Sequence, residues 1–343
     1  MFKNMIVYRI AQPWNLPLDA VDAALARMPF APCGATQELA LGWVPPRGEA
    51  HGALAESVGG QWILRLVREA KLLPAPVLAR KAQEKAAQIE ATTGRKPGKK
   101  ELRELKEEAK LDLLPMAFTR QAAVWVWLDP EAGWLVLDTA SQARADEVTS
   151  LLVELLPGLS LRLLQTQTAP ATAMAHWLAT QEPPVGFSLE RECELKSPDE
   201  SQAVVRYARH PLDIAEVQAH IAAGKRPTRL ALAWEGRVSF VLTEGLQLKK
   251  VTLLDTALAE QTNDEGGFDA DVALATGELG RLLPDLVAAL DGEADLAIPA
   301  GAERGAAQGA AEAVGGAAAF GGVGADAAGQ EAAEDVVAEE PPF

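Results

Sequence analysis

Residues 61–76 read QWILRLVREAKLLPAP, and the change of pattern inside them sets the architecture. The aliphatic and aromatic run 61–67 predicts a strand. Pro74 and Pro76 then open a charged stretch predicted to be helical over 77–92, since proline is tolerated in a first helical turn and hardly deeper. Gly94-Arg95-Lys96-Pro97-Gly98 breaks the pattern, helix resumes at Lys99, and Pro115 ends it after Leu114. A strand hairpin follows, 123–128 and 134–137 around Asp129-Pro130-Glu131-Ala132-Gly133. Two charged helices lodged between strands read as an insertion, 74–114, that projects from a sheet.

Working outward, 5–10 and 39–44 predict further strands, the second stopped by Pro45-Pro46. A helix is expected at 18–27, with Val21, Ala24 and Leu25 on one face. Another is expected at 141–155, striped by Val148, Leu151, Leu152 and Leu155. Beyond Pro157 no regular pattern emerges before Asp213, which with Glu216 reads as a capping box. Ile214, Val217 and Ile221 line the helix that follows, and Gly224 stops it. Strands are predicted at 230–234, 238–242 and 246–254, and a last helix at 276–290. The fold class is α+β, as two sheet-plus-helix domains, 1–165 and 166–291. Residues 292–343 are Ala/Gly-rich with no apolar periodicity, and the sequence predicts a disordered tail.

Charge is polarised along the 343 residues. The net charge is −16, and the stretch from Gly292 onward contributes −9 of it. Residues 65–110 carry +6 in contrast. Cys33 and Cys193 are the only cysteines, which excludes a disulfide scaffold or a CxxC zinc site and fits a reducing, cytoplasmic setting. No apolar run is long enough for a membrane span.

Catalytic motifs are missing. His51, His176, His210 and His220 form no HxH or HExxH pair, and residues 94–100 lack the spacing and the Ser/Thr of a Walker A loop. Asp269 and Asp271 read as alternating on a strand, hence on opposite faces. The expectation is a protein without catalytic activity, cofactor or metal. Arg95, Lys96, Lys99, Lys100 and Arg103 cluster around the helix break, and no acid lies between Glu90 and Glu101, which suits phosphate contact. Residues 101–110 read instead as a solvated face, with each cation three or four residues from an anion. The tryptophans fall mostly among aliphatic strand residues and read as core. Phe118, just past the Pro-terminated helix, is either core or an interface knob.

FKNMIVYRI at the N-terminus, MPFAPCGATQELALGWVPPRG at 28–48, LLPMAF at 113–118, HIAAGKRPTRLALAW at 220–234 and ATGEL at 275–279 resemble the RdgC family of recombination-associated proteins. The likeness runs in order to about residue 290 and excludes the tail. It implies a bacterial, nucleoid-associated homodimer. Its curved subunits close into a ring around double-stranded DNA, with single-stranded DNA left open as a second substrate. Binding ignores sequence and restrains RecA. The resemblance further implies that Phe118 closes one subunit interface, and that Arg95, Lys96 and Lys225 face DNA. Arg209 and His210 stand where the family often has Lys-Gln. Lys71, Lys99, Lys100, Arg103, Arg120 and Arg226 complete the candidate DNA-contacting set. Met116, where a basic residue is expected, and Pro97-Gly98 depart from the pattern. The rival readings are a scaffold whose basic projection grips an acidic protein, and a phosphoryl-transfer enzyme using scattered carboxylates.

Overall fold

The computed structural model describes residues 1–259 and 267–294. The expected structure of the tail beyond residue 294 lies outside the described residues. In chain order the elements are β1 (Met5–Ile10), α1 (Leu18–Leu25), β2 (Leu39–Val44), β3 (Ala55–Val58), β4 (Gln61–Lys71), α2 (Ala75–Thr93) and α3 (Lys99–Leu113). Then come β5 (Thr119–Asp129), β6 (Trp134–Asp138), α4 (Gln142–Leu155), β7 (Leu161–Leu163), α5 (Pro170–Thr180), β8 (Phe187–Lys196) and β9 (Val204–Ala208). The chain continues with α6 (Ala215–Ala222), β10 (Arg226–Trp234), β11 (Val238–Thr243), β12 (Leu248–Leu253), α7 (Asp255–Ala259) and α8 (Phe268–Ala289).

The fold is α+β, but the two sheets expected from the sequence are one. The 12 strands join in the order β2-β4-β5-β6-β1-β12-β11-β10-β8-β9, with β3 on β4 and β7 on β1. Pairing between the two halves rests on β1 and β12, where Met5 opposes Leu248. Val251 N–H adds a bond to the Lys3 carbonyl at 2.9 Å.

Around β4, β5, β6 and β1 the sheet is buried on both faces. Ile6, Tyr8, Leu64, Leu66, Val126 and Leu135 pack beneath α1 and α4. Their alternates Met5, Val7, Ile63, Trp127, Trp134 and Val136 join the larger core that includes α5, α6 and α8. Strands buried on two sides read as continuous apolar runs, which is why these segments alternate poorly. Filling a core site with Leu or Val contributes about 1.5–3 kcal/mol relative to leaving it exposed. α8 is tied to the sheet by buried Glu278, which accepts from Arg237 Nη2 at 2.7 Å and Arg281 Nη2 at 2.5 Å. Those bonds hold its carboxyl below the usual range, Arg237 acting most strongly.

Gly42 is fixed by a crossing. A Cβ there would meet Phe30 Cα at 2.3 Å, because residues 28–30 run beside β2 and exchange bonds with Trp43 at 2.9 Å each way.

Several sequence expectations are corrected. The irregular stretch after Pro157 contains β7, α5, β8 and β9. The Asp213 capping box does not form: α6 follows Ile214, with no side-chain cap. Asp269 and Asp271 lie in the first turn of α8, where acids favour the helix N-terminus, and not on a strand. That helix begins at Phe268, ahead of the expected residue 276. Contacts also run past Leu290. Gln167 N–H donates to the Gly292 carbonyl at 2.9 Å and Ala294 N–H to the Gln165 carbonyl at 2.9 Å.

Candidate nucleic-acid interface

α2 and α3 rise from the paired ends of β4 and β5, where Lys71 opposes Thr119. At the root, Leu72 N–H donates to the Phe118 carbonyl at 2.8 Å, and Lys110 Nζ lies 2.5 Å from Glu38. Leu105 and Ala109 of α3 and Ala82 of α2 are the buried residues of an otherwise charged pair. Lys85 of α2 reaches Asp112 at 2.8 Å and Glu108 at 3.3 Å on α3. At the far end Gly94 turns the chain with φ 68°, a left-handed conformation that glycine adopts without a Cβ penalty. The Glu101 carboxylate accepts from Gly98 N–H at 3.3 Å and starts α3.

The turn gathers Arg95, Lys96, Lys99, Lys100 and Arg103, all exposed. The sequence gap between Glu90 and Glu101 does not leave them all free. Folding the turn back brings Glu101 to 3.0 Å from Arg95 and Glu90 to 3.9 Å from Lys96. Lys100 lies 4.0 Å from Glu104. Among the described residues, no carboxylate comes within 4.0 Å of Lys99 or Arg103. Exposed pairs of this kind contribute about 0–1 kcal/mol, so a phosphate can replace the carboxylate at little cost.

At the root of the projection Arg120 is exposed on β5 opposite Ala70, and Lys71 is half-buried. Phe118 is 83% exposed and Met116 74%, with Leu72 and Leu111 also open to solvent. Within this chain Phe118 is therefore no core residue.

A third group forms around Tyr207 of β9. Its ring lies 5.9 Å from that of His210 and 6.5 Å from that of His220. His220 Nδ1 is 3.2 Å from Lys225 Nζ, and Arg226 follows at the start of β10, opposite Lys196. His210 Nδ1 lies 2.8 Å from the Pro211 carbonyl. Arg209, with φ 56°, lines a cavity of ≈ 290 Å³ together with Arg191 and Lys250. Arg191 escaped the sequence reading, and Lys250 read there as ordinary surface. Alternation along β8 would have flagged Arg191 had that strand been recognised. Lys250 is held by both oxygens of Glu192, at 2.6 and 2.7 Å.

Among the described residues no group of three or more His, Cys, Asp or Glu is arranged to hold a metal ion. Burial pushes the Cys193 thiol up to about 12, which leaves it inert as a nucleophile. No helix among the described residues is long and apolar enough to cross a membrane.

A family model described as "Putative exonuclease, RdgC" matches residues 1–293. The chain is 46% identical over 299 residues to the recombination-associated protein RdgC of Dechloromonas aromatica (strain RCB), covering 85% of this chain and 98% of that protein. It is 45% identical over 298 residues to the protein of the same name from Janthinobacterium sp. (strain Marseille), covering 86% and 99%. The Bordetella pertussis protein of that name is 43% identical over 296 residues, covering 85% and 98%.

Proposed function

The chain belongs to the RdgC family of recombination-associated proteins, and from that premise we propose that it binds double-stranded DNA without regard to sequence, as a homodimeric ring that restrains RecA-promoted recombination. The observation that carries this reading is the turn between α2 and α3. Five exposed cations meet there at the end of a projection, held at most by surface ion pairs. Such cations exchange carboxylates for phosphates and read the backbone rather than the bases. Arg209, His210, Lys225 and Arg226 supply a second basic group on the other half of the sheet. Phe118, an exposed aromatic at the projection's root, is the contact that closes one subunit interface, and it needs an apolar partner surface to be buried. The protein works as a non-enzymatic binder in the cytoplasm, on the nucleoid. It limits recombination through occupancy of the duplex.

The test is an electrophoretic mobility series on unrelated duplexes over a range of salt. Log K should fall linearly with log[salt], about −0.9 per neutralised phosphate, with the same slope on every sequence. A flat response would return the projection to the role of a protein-binding scaffold. Magnesium-dependent shortening of the probe would establish an exonuclease instead.

A further inference from the structure

The half of the sheet built from β8 to β12 has a face that neither hydrophobic core uses. Cys193, Leu230, Leu242 and Leu248 turn into the core shared with α5, α6 and α8. Residues that alternate with them point the other way: Glu194 on β8, Arg206 on β9, Arg229 and Ala231 on β10, Val241 on β11 and Lys249 on β12. Their registers place them side by side. Arg206 opposes Glu194, Glu194 opposes Arg229, Ala231 opposes Val241, and Val241 opposes Lys249. Ala231 and Val241 are buried, yet they belong to neither core.

Lys250 accounts for that burial. Its Nζ meets both oxygens of Glu192 at 2.6 and 2.7 Å. In the strand order β12-β11-β10-β8 this bond crosses above Val241 and Ala231, and all four residues line the ≈ 290 Å³ cavity. A register shift between Ser239 and Val241 and a φ of 54° at Lys250 interrupt the alternation of β12. Such irregularities re-aim a side chain, and a left-handed lysine is uncommon away from sites that use it.

The charge on this face is unbalanced. Arg206 and Arg229 share the single carboxylate of Glu194, at 2.6 and 4.0 Å. Lys249 and Arg209 have no carboxylate within 4.0 Å among the described residues. Arg191, Arg209 and Glu190 line the same cavity, so six cations meet three acids here. Arg206, Arg229 and Lys249 also form a row across the sheet. Each is two strands from the next, about 10 Å at the usual spacing of about 4.8 Å. A row of separated cations suits a polyanion with regularly repeated charge, whereas one carboxylate would satisfy only one of them.

We propose that this face, centred on Arg229, Lys249 and Lys250, carries the phosphate backbone of duplex DNA, with Glu192 holding Lys250 until a phosphate takes its place. The assignment rests on the DNA-binding reading above and adds to it a surface remote in sequence from the α2–α3 turn. The small side chains of Ala231 and Val241 let the backbone approach the sheet closely, and the guanidiniums are free to pair with phosphate oxygens.

The test is fluorescence anisotropy of a labelled duplex with the full chain over a salt series. Arg229→Gln/Lys249→Gln leaves Glu194 its bonds to Arg206 and Thr228, so the fold should hold. It should weaken binding about tenfold and flatten the salt slope by up to about 1.8. Glu192→Gln releases Lys250. It should tighten binding about threefold and steepen the slope by up to about 0.9, a gain that misfolding cannot imitate. The assignment alone is overturned if the wild-type chain binds duplex and either variant keeps the wild-type slope. If the wild-type chain binds no duplex at low salt, the DNA-binding reading fails and this one falls with it.

Discussion

Lys85 of α2 and Asp112 of α3 face each other at 2.8 Å and clamp the projection about half-way along α2. Each stabilises the other's charged form. Hydrogen bonding to Asp112 raises the Lys85 ammonium above its ordinary 10.5. The same bond holds Asp112 below its ordinary 3.8. A depressed carboxyl contributes stability above its unfolded pKa and loses it as pH falls through the folded value. A raised ammonium contributes below its unfolded pKa and loses it as pH rises through the folded value. The clamp is thus complete between about pH 5 and 10 and opens at either end. Lys85→Met should speed amide exchange in α2 and α3 at pH 7 and leave the sheet's slowest amides unchanged. Equal acceleration across the sheet would show that the projection does not open on its own.

The tip cations should not contribute equally. Arg95 and Lys96 must release Glu101 and Glu90 before meeting phosphate, whereas Lys99 and Arg103 have no such partner among the described residues. The double variant Lys99→Ala/Arg103→Ala should therefore weaken duplex binding more than Arg95→Ala/Lys96→Ala. It should also flatten the salt slope by up to about 1.8. Parallel titrations at several salt concentrations measure both. The reverse order would mean that the paired cations are the ones pressed against DNA.

These pairings show where sequence stops informing. β2 was legible to the residue, because Pro45-Pro46 cannot continue a strand. The two helices were legible because Pro74 opens one and Gly94 closes it. β8 was not: FSLERECELK mixes charge with apolar residues, and Glu194 is held by Thr228 and Arg206 at 2.7 and 2.6 Å, contacts made across strands. α5 has no charge to outline a polar face. Its buried Met174 and Trp177 are defined by the sheet they meet. The union of the sheet through Met5 and Leu248 joins residues far apart in the chain, and such pairing leaves no local pattern. Of the candidate site, the cation cluster was legible as composition. Its partner acids were not, because they become neighbours only when the turn folds back.

The C-terminal boundary has a sharp energetic position. Glu293 pairs with Arg9 and lies 3.7 Å from Arg162, and Arg9 stacks on Trp134 at 3.3 Å. Truncation after Ala294 should preserve Tm. Truncation after Asp291 removes the charge-assisted bonds to Arg9 and should lower Tm by about 2–4 °C. Both remove most of the acidic C-terminal charge, and in a DNA-binding protein such a tethered anion would compete electrostatically with phosphate. Both variants should therefore bind duplex more tightly at low salt, with the gain vanishing at high salt. Scanning calorimetry and mobility shifts separate the two effects. Equal Tm values would show that the Glu293 contacts hold nothing together.

Phe118 tests whether the proposed ring forms. It is 83% exposed in the subunit, so Phe118→Ala should leave Tm within about 1 °C, surface truncations rarely mattering more than a few tenths of a kcal/mol. If the ring fills a pocket on a second copy, the same change removes about 2 kcal/mol or more from one interface. The other interface persists, so light scattering should still report dimers. An unclosed dimer keeps its phosphate contacts but lets DNA leave sideways. Affinity for a short linear duplex should then fall less than threefold, while retention on covalently closed circles at raised salt should fall far more. Arg95→Ala/Lys96→Ala is the control, expected to weaken linear and circular DNA alike. If Phe118→Ala releases linear and circular DNA equally, the residue acts on affinity and not on closure. If it changes neither, the exposed aromatic does not join subunits around DNA.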